Sequence, residues 1–282
     1  MITGRTRMLG VIGRPVEHSA SPAMHNAALA ATGLDYVYVA FNVPPERAAG
    51  VGDAMRALGI AGLNVTVPHK QAVMAGLDEI AGEARAIGAV NTIENRAGRL
   101  IGHNTDAYGI ATSLRQDGGL ERLPARVVLL GAGGAARAIL YALLQAPEVE
   151  EVWLLNRTTA RAEGLAADLD RPAARVRVGG LDEVGRVRDA GLLINATSVG
   201  LAPQADASPV ADPRVLHRGL VVYDTVYRPR QTRLLAQAEA AGARAVGGLG
   251  MLLHQGARAF EIWTGAEAPV SAMRQALEAA VY

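Results

Sequence analysis

Two stretches of this chain put reactive side chains at the ends of strand-like runs. One is Asn64-Val-Thr66-Val-Pro68-His69-Lys70, an apolar pattern that closes on a lysine. The other is Gly102-His-Asn104-Thr105-Asp106, which closes on an aspartate. Residues i and i+2 of a strand share a face, so Asn64 and Thr66 point the same way. Lys70 stands where a helix pattern opens, and the positive end of a helix disfavours a cation. A lysine set against that field is either solvated or reactive. Asp106 also has two readings. It caps the helix pattern that follows it, or it holds the lysine in place as a neighbouring counter-charge. Lysine and aspartate among amides and hydroxyls suit a polyhydroxylated substrate that reacts at a carbonyl. A third polar cluster, His18-Ser19-Ala-Ser21-Pro22, follows the first strand pattern. Ser21 can cap the helix opened by Pro22. Together with Ser19 it would also give two hydroxyls and a helix N-terminus to a carboxylate.

A second kind of chemistry is written in mid-chain. Val127-Val-Leu-Leu-Gly131-Ala132-Gly133-Gly134-Ala135-Ala136 is an apolar run, a glycine turn and the start of an alanine-rich helix pattern. That order turns backbone N–H groups and a helix N-terminus toward a pyrophosphate. Ala136 takes the place of the last glycine, which serves mainly close helix–strand packing. NAD-binding folds carry an acid about 20 residues further on, for the ribose 2′-hydroxyl. Here Asn156-Arg157-Thr158 follows the next strand pattern, 25 residues after Gly131. An amide, a cation and a hydroxyl can pair with a 2′-phosphate, and Arg161 lies one helical turn beyond. The residues point to NADP(H).

These motifs need strand ends to stand on. Apolar runs and amphipathic helix patterns alternate along most of the 282 residues, which argues for α/β architecture in roughly two domains. In the first part, strands are expected at 8–13, 35–43 and 61–67, with helices at 22–32 and 45–58. Residues 90–95 and 100–104 flank Arg96-Ala-Gly98-Arg99 and read as an antiparallel hairpin at a sheet edge. A helix is expected at 107–116. Six more strands, at 126–130, 151–155, 175–178, 192–195, 220–224 and 244–246, suit a doubly wound nucleotide fold. The helical remainder from 250, broken at 264–269, is surplus to that sheet and is expected to return to the first domain. The expected division is 1–106 with 253–282 for substrate, and 107–252 for NADP(H).

Composition narrows the class. Lysine plus arginine number 28 against 27 acids, so a nucleic-acid or membrane-surface partner is not expected. There is no cysteine and so no disulfide or thiolate chemistry, and the six histidines show no metal-ligand spacing. No apolar run reaches the roughly 18 residues of a membrane span, and no signal peptide is legible, so a soluble cytoplasmic protein is expected.

The ordered motifs resemble the shikimate dehydrogenase family nearly from end to end. They are Gly13-x-Pro15-x-x-His18-Ser19-x-Ser21-Pro22-x-x-His25-Asn26, Asn64-Val-Thr66-x-Pro68-x-Lys70, Gly88-Ala-Val-Asn91-Thr92 and Asn104-Thr105-Asp106-x-x-Gly109. They continue with Gly131-Ala-Gly-Gly-Ala, Asn156-Arg157-Thr158, Asn195-Ala-Thr197-Ser198-x-Gly200, Asp224-x-x-Tyr227-x-Pro229 and Gly250-Met251-Leu-x-x-Gln255. The resemblance implies an N-terminal α/β substrate domain with a mixed sheet, a Rossmann-like NADP-binding domain, and final helices that pack on the first domain. It implies NADP-dependent, reversible reduction of 3-dehydroshikimate to shikimate, with Lys70 and Asp106 as the catalytic pair. Ser19, Ser21, Thr66, Asn91, Tyr227 and Gln255 would line the substrate pocket. Gly131, Ala132, Gly133, Gly134, Ala135, Asn156, Arg157, Thr158, Arg161 and Thr197 would hold the cofactor, with Gly248 and Met251 near its nicotinamide. A small molecule is the implied partner, in a monomer or homodimer. Ala20, often larger in relatives, and Arg228 are the variable places, and they leave selectivity between shikimate and quinate open. The rivals are a quinate dehydrogenase that uses NAD, a dehydrogenase for an amino analogue, and a non-catalytic NADPH-binding regulator.

Overall fold

The computed structural model describes residues 2–169 and 175–282, and divides them into two compact units. The first holds residues up to Gly109 together with Leu253–Val281, and the second holds Ile110–Leu252 with Tyr282.

In the first unit, β1 (Arg7–Gly13), β2 (Tyr36–Asn42) and β3 (Gly62–Val65) are parallel, joined by α1 (Ser21–Thr32) and α2 (Val51–Leu58). The hairpin β5 (Thr92–Arg96) and β6 (Arg99–His103) adds antiparallel pairing, and β4 (Glu79–Ile80) completes the order β2-β1-β3-β5-β6-β4. The hairpin is therefore not the edge. The outer place belongs to β4, a two-residue strand too short to leave a periodic signal. The short helix α3 (Gly82–Ile87) that follows it is equally silent in the sequence pattern. The helix expected over 45–58 is divided. Pro45–Gly50 is a 3₁₀ turn, and α2 starts at Val51. Met55, Leu63, Val65, Ile93 and Leu100 form the core beneath the sheet.

Of the C-terminal helices, α8 (Leu249–Thr264) from Leu253 onward and all of α9 (Val270–Val281) belong to this unit. Trp263 is the anchor. Its Nε1 donates to the Ile93 carbonyl at 2.9 Å, and its ring lies where a Cβ on Gly62 would come within 2.2 Å. Only glycine at 62 lets the indole lie on the strand.

The second unit is a six-stranded parallel sheet. Its strands are β7 (Arg126–Leu130), β8 (Glu151–Leu155), β9 (Val176–Gly179), β10 (Leu192–Asn195), β11 (Val221–Asp224) and β12 (Arg244–Gly247). The order β12-β11-β10-β7-β8-β9 is the doubly wound one, and it reverses between β7 and β10. Side chains alternate between two cores. Val127, Leu129, Leu192, Ile194 and Tyr223 face one, while Val128, Leu130, Leu193 and Val222 face the other. Burial on both faces is why these strands read as unbroken apolar runs. Each fully buried Leu or Val contributes about 1.5–3 kcal/mol relative to exposure. Helices α4 (Asp106–Gln116), α5 (Gly134–Gln145), α6 (Thr159–Leu169) and α7 (Arg233–Ala240) connect or flank the strands, and Leu181–Asp189 makes its crossing as 3₁₀ turns.

A candidate active site in two parts

The strand ends of the first unit carry a continuous polar cluster. Lys70 Nζ lies 2.5 Å from Asp106 Oδ2, with both side chains largely shielded from solvent. The other carboxylate oxygen of Asp106 accepts from Asn91 Nδ2 at 2.8 Å. Asn91 also donates to Thr105 Oγ1 at 2.9 Å, and its Oδ1 accepts from Thr105 N at 2.8 Å. Gln255 Oε1 completes the group, 3.4 Å from Asn91 Nδ2 and 3.5 Å from Thr105 Oγ1.

Local backbone chemistry frees these groups for one another. The Asp106 side chain does not cap α4. The Asn104 side chain instead accepts from Asp106 N at 3.0 Å, so both Asp106 oxygens face the cluster. Lys70 opens no α-helix, because only a 3₁₀ turn, Ala72–Gly76, follows it. Gly76 abuts the Ala49 carbonyl, where a Cβ would come within 2.7 Å, so this stretch packs tightly. No α-helix dipole therefore opposes the cation at Lys70, and Asp106 accounts for the lysine's position. A further chain runs from Tyr38, whose hydroxyl donates to Asn64 Oδ1 at 2.7 Å, through Asn64 Nδ2 to Thr92 Oγ1 at 3.1 Å. Burial pushes the Tyr38 hydroxyl well above its usual range. Thr66 packs its methyl against Gly13, where a Cβ would lie 2.4 Å away.

At α1 the expected serine cap is absent. Ala20 holds the N-cap place and no side chain caps the helix, while Ser19 Oγ accepts from Ser21 N at 3.3 Å. The helix end thus carries no side-chain cap, with Ser19 half-buried beside it and Ser21 buried and hydrogen-bonded to Tyr38. Beneath it His25 is fully buried and stacked on Tyr38 at 4.3 Å between ring centroids. Burial pulls its pKa down to about 3.

In the second unit, Gly131 has φ +107°, and a Cβ there would stand 2.9 Å from the Ala196 carbonyl. Gly133 has open space where a Cβ would stand, and no side chain caps α5. Ala132, Gly134 and Ala135 complete this turn and the first residues of α5. Asn156 Nδ2 folds back to the Thr158 carbonyl at 2.9 Å. Arg157 and Arg161 are exposed, and neither has an ion-pair partner among the described residues. An uncapped helix end, a glycine turn open to close approach and unpaired guanidinium groups fit a dinucleotide that carries an extra phosphate. Thr197 sits beside Gly131 in the turn after β10. Gly248 separates β12 from α8, and Met251 N donates to the Tyr223 hydroxyl at 3.2 Å. Tyr227, half-buried, belongs to this unit and not to the one with the serines, and burial pushes its hydroxyl upward. Thr105, Asn104, Asn64 and Thr92 support the cluster, but sequence reading gave none of them a role. Their signals were polarity at strand ends and their places in the family motifs.

A doubly wound nucleotide unit, joined to a unit whose strand ends carry a lysine–carboxylate pair, defines a nicotinamide-dependent dehydrogenase of small polar substrates. Family models agree along the chain. The shikimate dehydrogenase substrate-binding domain matches residues 11–93, shikimate/quinate 5-dehydrogenase matches 117–202, and the shikimate 5′-dehydrogenase C-terminal domain matches 248–278. The NADP(+) shikimate dehydrogenase of Methanopyrus kandleri is 49% identical, over 98% of this chain and 96% of that protein. A crystal structure of shikimate dehydrogenase in complex with NADP+ superposes with a TM-score of 0.94 at 42% identity, over 100% of this chain and 98% of that one. The enzyme from Thermus thermophilus, in complex with NADP(H) and shikimate, gives 0.86 at 41%, over 97% and 99%. The chain belongs to the shikimate dehydrogenase family.

Proposed function

We propose that this chain is an NADP-dependent shikimate dehydrogenase that interconverts 3-dehydroshikimate and shikimate. The observation that carries the reading is the shielded Lys70–Asp106 pair, held by Asn91 at the end of a polar cluster, in a chain of this family. NADPH, when bound, supplies the hydride that the C3 carbonyl carbon receives. Lys70 stabilises the negative charge that grows on the carbonyl oxygen, by its charge or by passing it a proton. Asp106 keeps Lys70 in position. Its oxygens each accept one bond from protein and retain lone pairs for a substrate hydroxyl. Asn91, Gln255 and Thr66 orient the remaining ring oxygens. Ser19 and Ser21 receive the ring carboxylate at the uncapped α1 terminus, with Tyr227 as a further contact.

The turn Gly131–Ala135 takes the pyrophosphate, Asn156, Arg157, Thr158 and Arg161 take the adenosine end, and Thr197, Gly248 and Met251 meet the nicotinamide side. A cytoplasmic monomer or homodimer is the expected setting. No helix among the described residues is long and apolar enough to cross a membrane. The test is NADP+ reduction, followed by absorbance, with shikimate or quinate and with NADP+ or NAD+. Turnover confined to shikimate with NADP+ is expected. Turnover with quinate or NAD+ would overturn the selectivity, and none with any pair would favour a non-catalytic regulator.

A further inference from the structure

The C-terminal end of β11 holds a buried carboxylate with no part in the chemistry above. Asp224 is wholly buried, has no cation against it among the described residues, and accepts from three neutral donors. These are Asn195 Nδ2 at 2.8 Å and Val226 N at 3.1 Å on Oδ1, and Thr232 Oγ1 at 2.6 Å on Oδ2. A buried, unpaired charge is costly, yet only a carboxylate offers an acceptor oxygen to Val226 N and another to the Thr232 hydroxyl. Burial does push the Asp224 carboxyl upward, against those hydrogen bonds.

What a neutral amide would not do is fix its neighbour. Asn195 stands opposite Asp224 in the parallel pairing of β10 and β11. An asparagine amide has a donor end and an acceptor end of nearly equal shape. Asn195 presents its NH₂ to two acceptors, Asp224 Oδ1 at 2.8 Å and, more weakly, the Val199 carbonyl at 3.3 Å. Its oxygen must then face the other way, and it accepts from Thr197 N at 3.0 Å and Thr197 Oγ1 at 2.7 Å. Thr197 Oγ1 in turn accepts from Val199 N at 3.1 Å. On its other side Asp224 ties down the segment 225–232, which bears Tyr227. The turn at Gly248 also abuts it, since a Cβ there would lie 2.8 Å from the Asp224 carbonyl. Three loops with proposed ligand-contacting residues thus meet at one aspartate.

We propose that Asp224 is a positioning residue: by locking the Asn195 amide it sets the Thr197 turn for the cofactor, and by holding residues 225–232 it sets Tyr227 for the substrate. The proposal rests on the functional reading above. Wild-type turnover of shikimate with NADP+ tests that reading alone, and only a variant's departure from wild type tests Asp224. The experiment is calorimetric titration of Asp224→Asn with NADP+, alongside KM for shikimate, kcat and thermal unfolding. Loss of the lock should weaken NADP+ and raise KM for shikimate by about five- to tenfold each, with kcat at saturation within about threefold of wild type. A variant that only melts lower, with Kd and KM unchanged, would reduce Asp224 to a structural role. Thr232→Val covers the case in which Asp224→Asn does not fold. It should raise KM for shikimate about two- to fivefold, and Thr232→Ser should restore it. Wild-type values in Thr232→Val would overturn the proposal.

Discussion

Around Asp106 the first unit has paired its polar side chains with one another. At the Gly131–Gly134 turn the second unit leaves a helix end uncapped and Arg157 without a counter-ion among the described residues. The first arrangement suits chemistry, because a general acid and its supports must be in place before the substrate arrives. The second suits capture of an anion that brings its own charge and acceptors. The contrast separates two kinds of damage. Changes in the cluster should slow turnover, and changes in the open turn should weaken binding.

The largest expected effect lies in the cluster. Lys70→Ala should lower kcat by about 10²- to 10⁴-fold with little change in KM, as read from steady-state rates. Next comes the open region. Arg157→Ala loses a charge-assisted contact worth roughly 1.5–3 kcal/mol, so NADP+ should weaken about 10- to 150-fold. Binding of NAD+, measured in the same titration, should hardly move, and equal weakening of both would remove Arg157 from phosphate recognition.

The two smaller effects are on stability. For His25, the folded pKa of about 3 lies below the ordinary value of 6.5, so the unfolded chain binds the proton first as pH falls. Its contribution is complete above pH 6.5 and is lost as pH drops toward 3. At about pH 5 the protein should be about 2 kcal/mol less stable than at about pH 7 from this residue. His25→Leu should flatten that slope in urea titrations, and a slope unchanged by the substitution would assign it elsewhere. Gly131→Ala should cost about 1–2 kcal/mol, because the residue keeps a positive φ. A melting temperature equal to wild type would mean that the turn relaxes freely.

The same contrast explains what the sequence made legible. Strands β7, β8 and β10 could be placed to the residue because sheets covered on both faces write continuous apolar runs. The motif Gly131–Ala135 was readable because all its geometry is local. Lys70 and Asp106 stood out as charged residues closing apolar runs, which local pattern also reveals. The wiring behind them was hidden. Asn91, Thr105 and Gln255 meet through tertiary folding, with Gln255 arriving from 164 residues away. Asn195 and Asp224 were visible only as motif letters, since their bond depends on the register of β10 against β11. The capping expectations for Ser21 and Asp106 failed for one reason. A neighbouring residue, Ala20 or Asn104, took the local role and left the side chain free of it. The edge strand β4, two residues long, had no period to detect.

The most direct test of this division is recovery at saturation. Lys70→Ala and Arg157→Ala would be assayed side by side as shikimate and NADP+ are raised to saturating concentrations. Arg157→Ala should regain wild-type kcat, while Lys70→Ala should stay lower by about 10²-fold or more at every concentration. If Lys70→Ala instead recovers wild-type kcat at saturation, the lysine only binds substrate, and the cluster is not prebuilt catalytic machinery.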